Sequence, residues 1–75
     1  MKDLVEYIVK QLVVNKEQVT VTEEKDNDAT IIRVQVAESD VGKVIGRNGR
    51  VAQAIRAIVR SASSKTSDKF IVKID

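Results

Sequence analysis

Four consecutive residues, Gly46, Arg47, Asn48 and Gly49, have the types and spacing to hold a phosphodiester backbone. A main chain that runs close against a phosphate needs positions without a Cβ, and glycine supplies that clearance together with the positive φ of a tight turn. Between the glycines lies a two-residue tip. Arg47 brings charge to it, and Asn48 can donate or accept a hydrogen bond without adding any. Lys43 and Arg50 flank the tip, and a helix starting directly after it presents free amides to an anion. The bland reading makes Gly46 a helix C-cap, Gly49 a turn residue and the arginines a soluble surface. Residues 41–60 favour phosphate contact, because they hold Lys43, Arg47, Arg50, Arg56 and Arg60 and no acid, while the first 40 residues carry nine acids against five bases. The net charge of +2 therefore conceals a polarised chain, and such polarity bears on partners rather than on fold.

The elements that must position this loop follow from hydrophobic spacing. Leu4, Val5, Ile8, Leu12 and Val13 recur at helical intervals, which predicts a first helix over 3–14, with Asp3 as its cap and Glu6 able to return the bond. Strict alternation then predicts strands over 18–23, with Val19 and Val21 on one face, and 30–36, with Ile32, Val34 and Val36 on one face. The polar run 24–28 between them reads as the turn of an antiparallel hairpin. Ser39 and Asp40 are cap-type residues ahead of Val41, Val44 and Ile45, a short helix that Gly46 ends. A third helix over 50–62 is expected to bury Val51, Ile55, Ile58, Val59 and Ala62, with Ala52 and Ala54 on its margins and Gln53, Arg56 and Arg60 outside. Serines and a threonine from Ser61 to Ser67 read as a frayed helix end passing into a loop. A last strand over 69–74 points Phe70, Val72 and Ile74 inward. The order is α-β-β-α-α-β, an α+β fold in which three helices cover one face of a three-stranded mixed sheet.

Seventy-five residues make one small domain, and 43% hydrophobic residues with regular periodicity place it among folded chains. The absence of cysteine and histidine removes disulfides, thiolate sites and the commonest metal ligand and general base, so neither cofactor nor catalysis is expected. No apolar run approaches the roughly 20 residues of a membrane span, and Asp3 and Glu6 make the N-terminus unlike a signal peptide. A cytoplasmic protein is the expectation.

The run Val44-Ile45-Gly46-Arg47-Asn48-Gly49, followed by apolar residues at helical spacing, resembles the signature of the KH domain. In that family a G-x-x-G loop clamps about four nucleotides of single-stranded RNA or DNA. The element order is similar to the type II arrangement, and the length to the small single-KH RNA-binding proteins of bacteria. The resemblance implies that Gly46 and Gly49 form the clamp, that Arg47 and Asn48 touch the nucleic-acid backbone, and that Lys43 and Arg50 add flanking charge. Gly42, Val44 and Ile45 would line the groove where bases lie, although core packing accounts equally well for Val44 and Ile45. The serine-rich segment corresponds to the family's variable loop. The resemblance also implies a homodimer, or a heterodimer with a second KH-containing RNA-binding protein. Ala52 departs from the pattern, since many KH domains place a larger apolar side chain there. Arg56 and Arg60 read as a solvated face or a distal phosphate contact.

Tyr7 and Phe70 are the only aromatics, so recognition through stacked rings is disfavoured, and weak, sequence-tolerant binding of single-stranded RNA is expected. Two rivals remain. A helix-turn-helix DNA binder is opposed by the predicted sheet, and a protein-interaction module would leave the basic loop incidental. No Gly-Lys-Ser/Thr follows the glycines, so a nucleotide-binding P-loop fails.

Overall fold

The computed structural model describes residues 1–64 and 69–74. Helix α1 (Lys2–Leu12), strands β1 (Thr20–Asp26) and β2 (Ala29–Gln35), helices α2 (Val41–Ile45) and α3 (Arg50–Ala62), and strand β3 (Lys69–Ile74) follow one another in the expected order. Single 3-10 turns at Lys16–Gln18, Glu38–Asp40 and Arg47–Gly49 join them. β2 is the central strand, antiparallel to β1 and parallel to β3. The parallel pairing makes α2 and α3 together the crossover.

Register decides which side chains meet the helices. Val21, Val34 and Ile74 share one row of the inner face, Glu23, Ile32 and Val72 the next, and Lys25, Thr30 and Phe70 the last. Val5, Val9 and Val13 of the α1 segment, Val44 of α2, and Ile55 and Val59 of α3 close over those rows to form one core with Val21, Ile32, Val34 and Val72. The helices therefore cover one face of the sheet. Its other face carries Glu24, Arg33, Ile71 and Lys73 toward solvent, and Glu24 and Arg33 form an ion pair at 3.8 Å.

Several element ends differ from the expectation, each for a physical reason. α1 begins at Lys2, with Met1 and not Asp3 at the cap position, and its first amide is met from the sheet: the Lys2 backbone N–H donates to Glu23 Oε1 at 3.2 Å. Asp3 stays in the first turn, where its charge still suits the positive end of the helix. β1 starts later than expected and runs on to Asp26, because Asn27 takes φ +57° and closes the hairpin in two residues. Glu24, Lys25 and Asp26 are all exposed, so burial imposes no alternation on them.

α3 also departs from the expectation. Ala52 is buried in the core and not marginal, while Ile58, expected inside, is 44% exposed, and Ala62 is exposed with it. The buried face of the helix is made by Ala52, Ile55 and Val59, with Val51 half-buried. Its end is tied by the Ser63 N–H to the Val59 carbonyl at 3.0 Å and by Ser63 Oγ to the Arg60 carbonyl at 3.2 Å. The remainder of the serine-rich segment, 65–68, lies outside the described residues.

Candidate nucleic-acid interface

α2 is only five residues long and would not persist alone, since so short a helix cannot repay its nucleation. Two features hold it. Val44 is fully buried in the core, so its role is to pack α2, whereas Ile45 is half-buried beside the loop. The other is Asp40, at the start of the helix. Its carboxylate makes no bond to the amides of α2. It reaches back to the end of α1, accepting the Val14 N–H on Oδ1 at 3.2 Å and, on Oδ2, the Asn15 N–H at 2.9 Å and Asn15 Nδ2 at 3.1 Å. The backbone bond from Asn15 is the largest influence holding this carboxyl below its ordinary 3.8; burial opposes it, and the Val14 amide, the Asn15 side chain and the Lys43 charge assist. Lys43 Nζ stands 3.8 Å from Asp40 Oδ1.

The loop itself is built on left-handed backbone. Gly46 adopts φ +78°, ψ 174° and receives the last turn of α2, its N–H donating to the Gly42 carbonyl at 2.8 Å. A Cβ on Gly46 would lie 2.8 Å from both the amide nitrogen and the Cβ of Val51, so glycine is required there by space as well as by φ. The Gly49 N–H closes the turn on the Gly46 carbonyl at 3.2 Å. Asn48 at φ +57° and Gly49 at φ +74° are consecutive left-handed residues, but a Cβ on Gly49 would meet open space. Gly49 precedes α3 without any side-chain cap, which leaves the first amides of that helix without such a partner.

Arg47, Asn48 and Arg50 are exposed around this turn, and Gly42 and Lys43 are exposed on α2. The ion pairs among the described residues are Lys10 with Glu6, Arg33 with Glu24, and Lys43 with Asp40, so Arg47 and Arg50 have no acid partner there. The arrangement gathers bare backbone, two unpaired guanidinium groups and a helix N-terminus at one corner. Gly42, Lys43, Ile45, Gly46, Arg47, Asn48, Gly49 and Arg50 belong to that corner, and the Val44 side chain lies beneath it in the core.

Farther along α3, a groove of about 330 Å³ opens between that helix and β3. Arg56, Arg60 and Lys69 rim it over Val59 and Phe70. Arg56 Nε donates to the Val72 carbonyl at 3.3 Å, spanning the groove from helix to strand. β3 pairs with β2 alone, so its other edge is open. From sequence, Arg56 and Arg60 read as a solvated face or a distal phosphate contact, and Phe70 as an inward residue of the last strand. Their one-turn spacing and the inward phase of Phe70 were visible signals. What was missing was that the parallel crossover lays β3 beside α3.

The family model described as KhpA/KhpB, KH domain matches residues 2–74. The chain is similar to the RNA-binding protein KhpA of Caldanaerobacter subterraneus subsp. tengcongensis, at 46% identity over 99% of this chain and 99% of the relative. It is 45% identical to the RNA-binding protein KhpA of Clostridium perfringens, again over 99% of each. With the RNA-binding protein KhpA of Aquifex aeolicus it shares 38% identity over 99% of this chain and 94% of that one.

Proposed function

This chain belongs to the KhpA/KhpB family of KH domains, and on that basis we propose that it binds single-stranded RNA as a post-transcriptional regulator, with the 46–49 turn clamping the strand's backbone. The observation that carries this reading is the turn's geometry: left-handed backbone at Gly46, Asn48 and Gly49 presents an exposed tip flanked by two arginines free of any acid partner among the described residues. Phosphates would lie against Gly46 and Gly49, within reach of Arg47, Asn48 and Arg50. Bases would follow Gly42 and Ile45 toward the α3–β3 groove, where Val59 and Phe70 offer apolar surface and the open edge of β3 offers unpaired backbone groups. Arg56, Arg60 and Lys69 then meet phosphates farther along the strand. Nothing in this mechanism requires a bond to be made or broken; the protein holds the strand, chiefly by its backbone, with modest sequence preference.

One domain grips few nucleotides, and pairing with a second KH domain would raise the effective concentration of the second site. The exposed stripe of Ala54, Ile58 and Ala62 on α3, spaced at i, i+4 and i+8, is the apolar surface we assign to such a partner, either a second copy or another KH-containing chain. We place the protein in the cytoplasm; no helix among the described residues is long and apolar enough to cross a membrane.

The test is a titration of fluorescently labelled single-stranded RNA at two salt concentrations, with the wild type and with Arg47→Asp plus Asn48→Asp. Neutralising about three phosphates gives a slope near −2 for log affinity against log salt. Salt-dependent binding that the folded double variant loses supports the clamp. Equal binding by both proteins, or a slope near zero, removes it. Stronger binding to duplex DNA than to single-stranded RNA would favour the helix-turn-helix alternative.

A further inference from the structure

Asp40 is the one ionisable side chain in the interior among the described residues, 1% exposed. A buried carboxylate is costly unless it is paired and hydrogen-bonded. Here Oδ2 accepts two donors from Asn15, and Oδ1 accepts the Val14 amide and faces Lys43 at 3.8 Å. Its negative charge is thus retained, and it is retained one turn from a residue of the proposed clamp.

The cations of that clamp are consequently not equivalent. Arg47 and Arg50 face solvent without an acid partner among the described residues, whereas Lys43 already has an oxyanion partner. Lys43 cannot turn wholly to a phosphate without uncovering Asp40, and an uncovered carboxylate would repel the phosphate that drew the lysine away. Taken together the pair brings no net charge to the RNA. Coulomb attraction to a charge on the low-dielectric side of a surface is also stronger than to one in bulk water, which favours retention of the pair.

We propose that Asp40 is a positioning residue of the clamp, an internal carboxylate that holds Lys43 on the protein where a phosphate would otherwise hold it, leaving the clamp's own share of the salt sensitivity to Arg47 and Arg50. The inference rests on the RNA-binding reading above and makes a claim that reading does not. If Asp40 were only a tie between α1 and α2, Lys43, with half of its side chain exposed, would swing free and count as a full clamp cation.

The experiment measures the slope of log affinity against log salt for single-stranded RNA, with the wild type, Arg47→Ala, Lys43→Ala, Asp40→Asn and the Asp40→Asn plus Lys43→Ala double variant. Each single-strand phosphate neutralised contributes about 0.7 to the slope. Arg47→Ala is expected to lose about that amount, and Lys43→Ala less than half of it. Asp40→Asn, shown to be folded by its melt, is expected to steepen the slope toward one further phosphate, and adding Lys43→Ala to it removes the gain. A purely structural role moves the melting temperature of Asp40→Asn but not this slope. Should Asp40→Asn fail to fold, Lys43→Ala against Arg47→Ala decides by the slope and not by the affinity, because Lys43→Ala also uncovers the Asp40 carboxylate. A loss at Lys43 equal to that at Arg47, or an unchanged slope in folded Asp40→Asn, overturns the proposal while leaving RNA binding in place. A wild-type slope near zero that Arg47→Ala does not alter removes the RNA-binding reading itself, and this proposal with it.

Discussion

The hairpin turn at Asn27 and the helix-to-helix turn at Asn48 each hold an asparagine at φ +57°. Asparagine tolerates that backbone better than other side chains do, because its short amide can bond locally. Everything around the two differs. Glu24, Asp26 and Asp28 surround the first, which joins two paired strands through Asn27 and Asp28 alone. Arg47 and Arg50 surround the second, which adds left-handed glycines on both sides of its tip and opens onto uncapped amides of α3. A left-handed residue is therefore only what reversing the chain demands. The candidate site is marked by bare backbone and unpaired positive charge occurring together, and only the second turn has both.

The largest effect expected from breaking this contrast is at Gly46. Gly46→Ala forces a Cβ against Val51 at a φ that alanine resists, and should cost about 3 kcal/mol, read as a fall in denaturation midpoint. Gly49→Ala, with open space around it, should cost only about 1 kcal/mol; equal losses would show that the two glycines are not distinguished by packing. Next comes charge. Arg47→Asp plus Asn48→Asp should weaken RNA binding by at least about tenfold, near 1.4 kcal/mol, while Asp28→Asn at the other turn leaves affinity within about twofold. A matched pair sharpens the contrast further: Asn27→Ala and Asn48→Ala should each destabilise by about 1 kcal/mol, but only the second should lower affinity for RNA. Gly42→Ala should be smaller and opposite in sign for the fold. Gly42 is exposed in α2 with no neighbour within 4 Å of a built Cβ, so alanine stabilises by about 0.5–1 kcal/mol and, if the strand lies against α2, reduces binding.

At neutral pH Asp40 lends its full stability, and the dependence on pH emerges only in acid. Its folded pKa is depressed, so the stability it lends is complete above the ordinary 3.8 and is lost as pH falls through the lowered folded value. Acid titrations of the wild type and Asp40→Asn should accordingly begin to converge in melting temperature as pH falls below 3.8.

Element order, strand phase and the loop were legible because each is written locally: helical spacing in α1 and α3, alternation in β2 and β3, and glycines at the ends of a two-residue tip. Asp40 was not legible. Next to Val41 it reads as an N-cap, and its partners lie 25 and 26 residues away. The bond from Glu23 to the start of α1 was hidden for the same reason, its amide partner being 21 residues distant. Ile58 misled because an apolar residue on a helix margin has one spelling whether it faces a core or a partner. The limits of β1 were hidden where the strand is exposed, since alternation records burial and there is none. The groove needed the parallel pairing of β3, which brings Arg56 within reach of Val72, 16 residues later.

The central position of β2 has a consequence for the order in which the chain assembles. Its partner on one side arrives through a two-residue turn, and hairpins of that kind close in about 1–10 μs. Its partner on the other side must wait for α2 and α3, a non-local closure that is slower to nucleate. The turn at 46–49 can take shape from neighbouring residues, but the second wall of the groove exists only once β3 has docked. RNA that touches both walls would thus recognise the finished fold and not its precursors. At a hundred times its dissociation constant it would add about 2.7 kcal/mol to the stability of that state, making the nucleic acid a brace for the last strand to arrive.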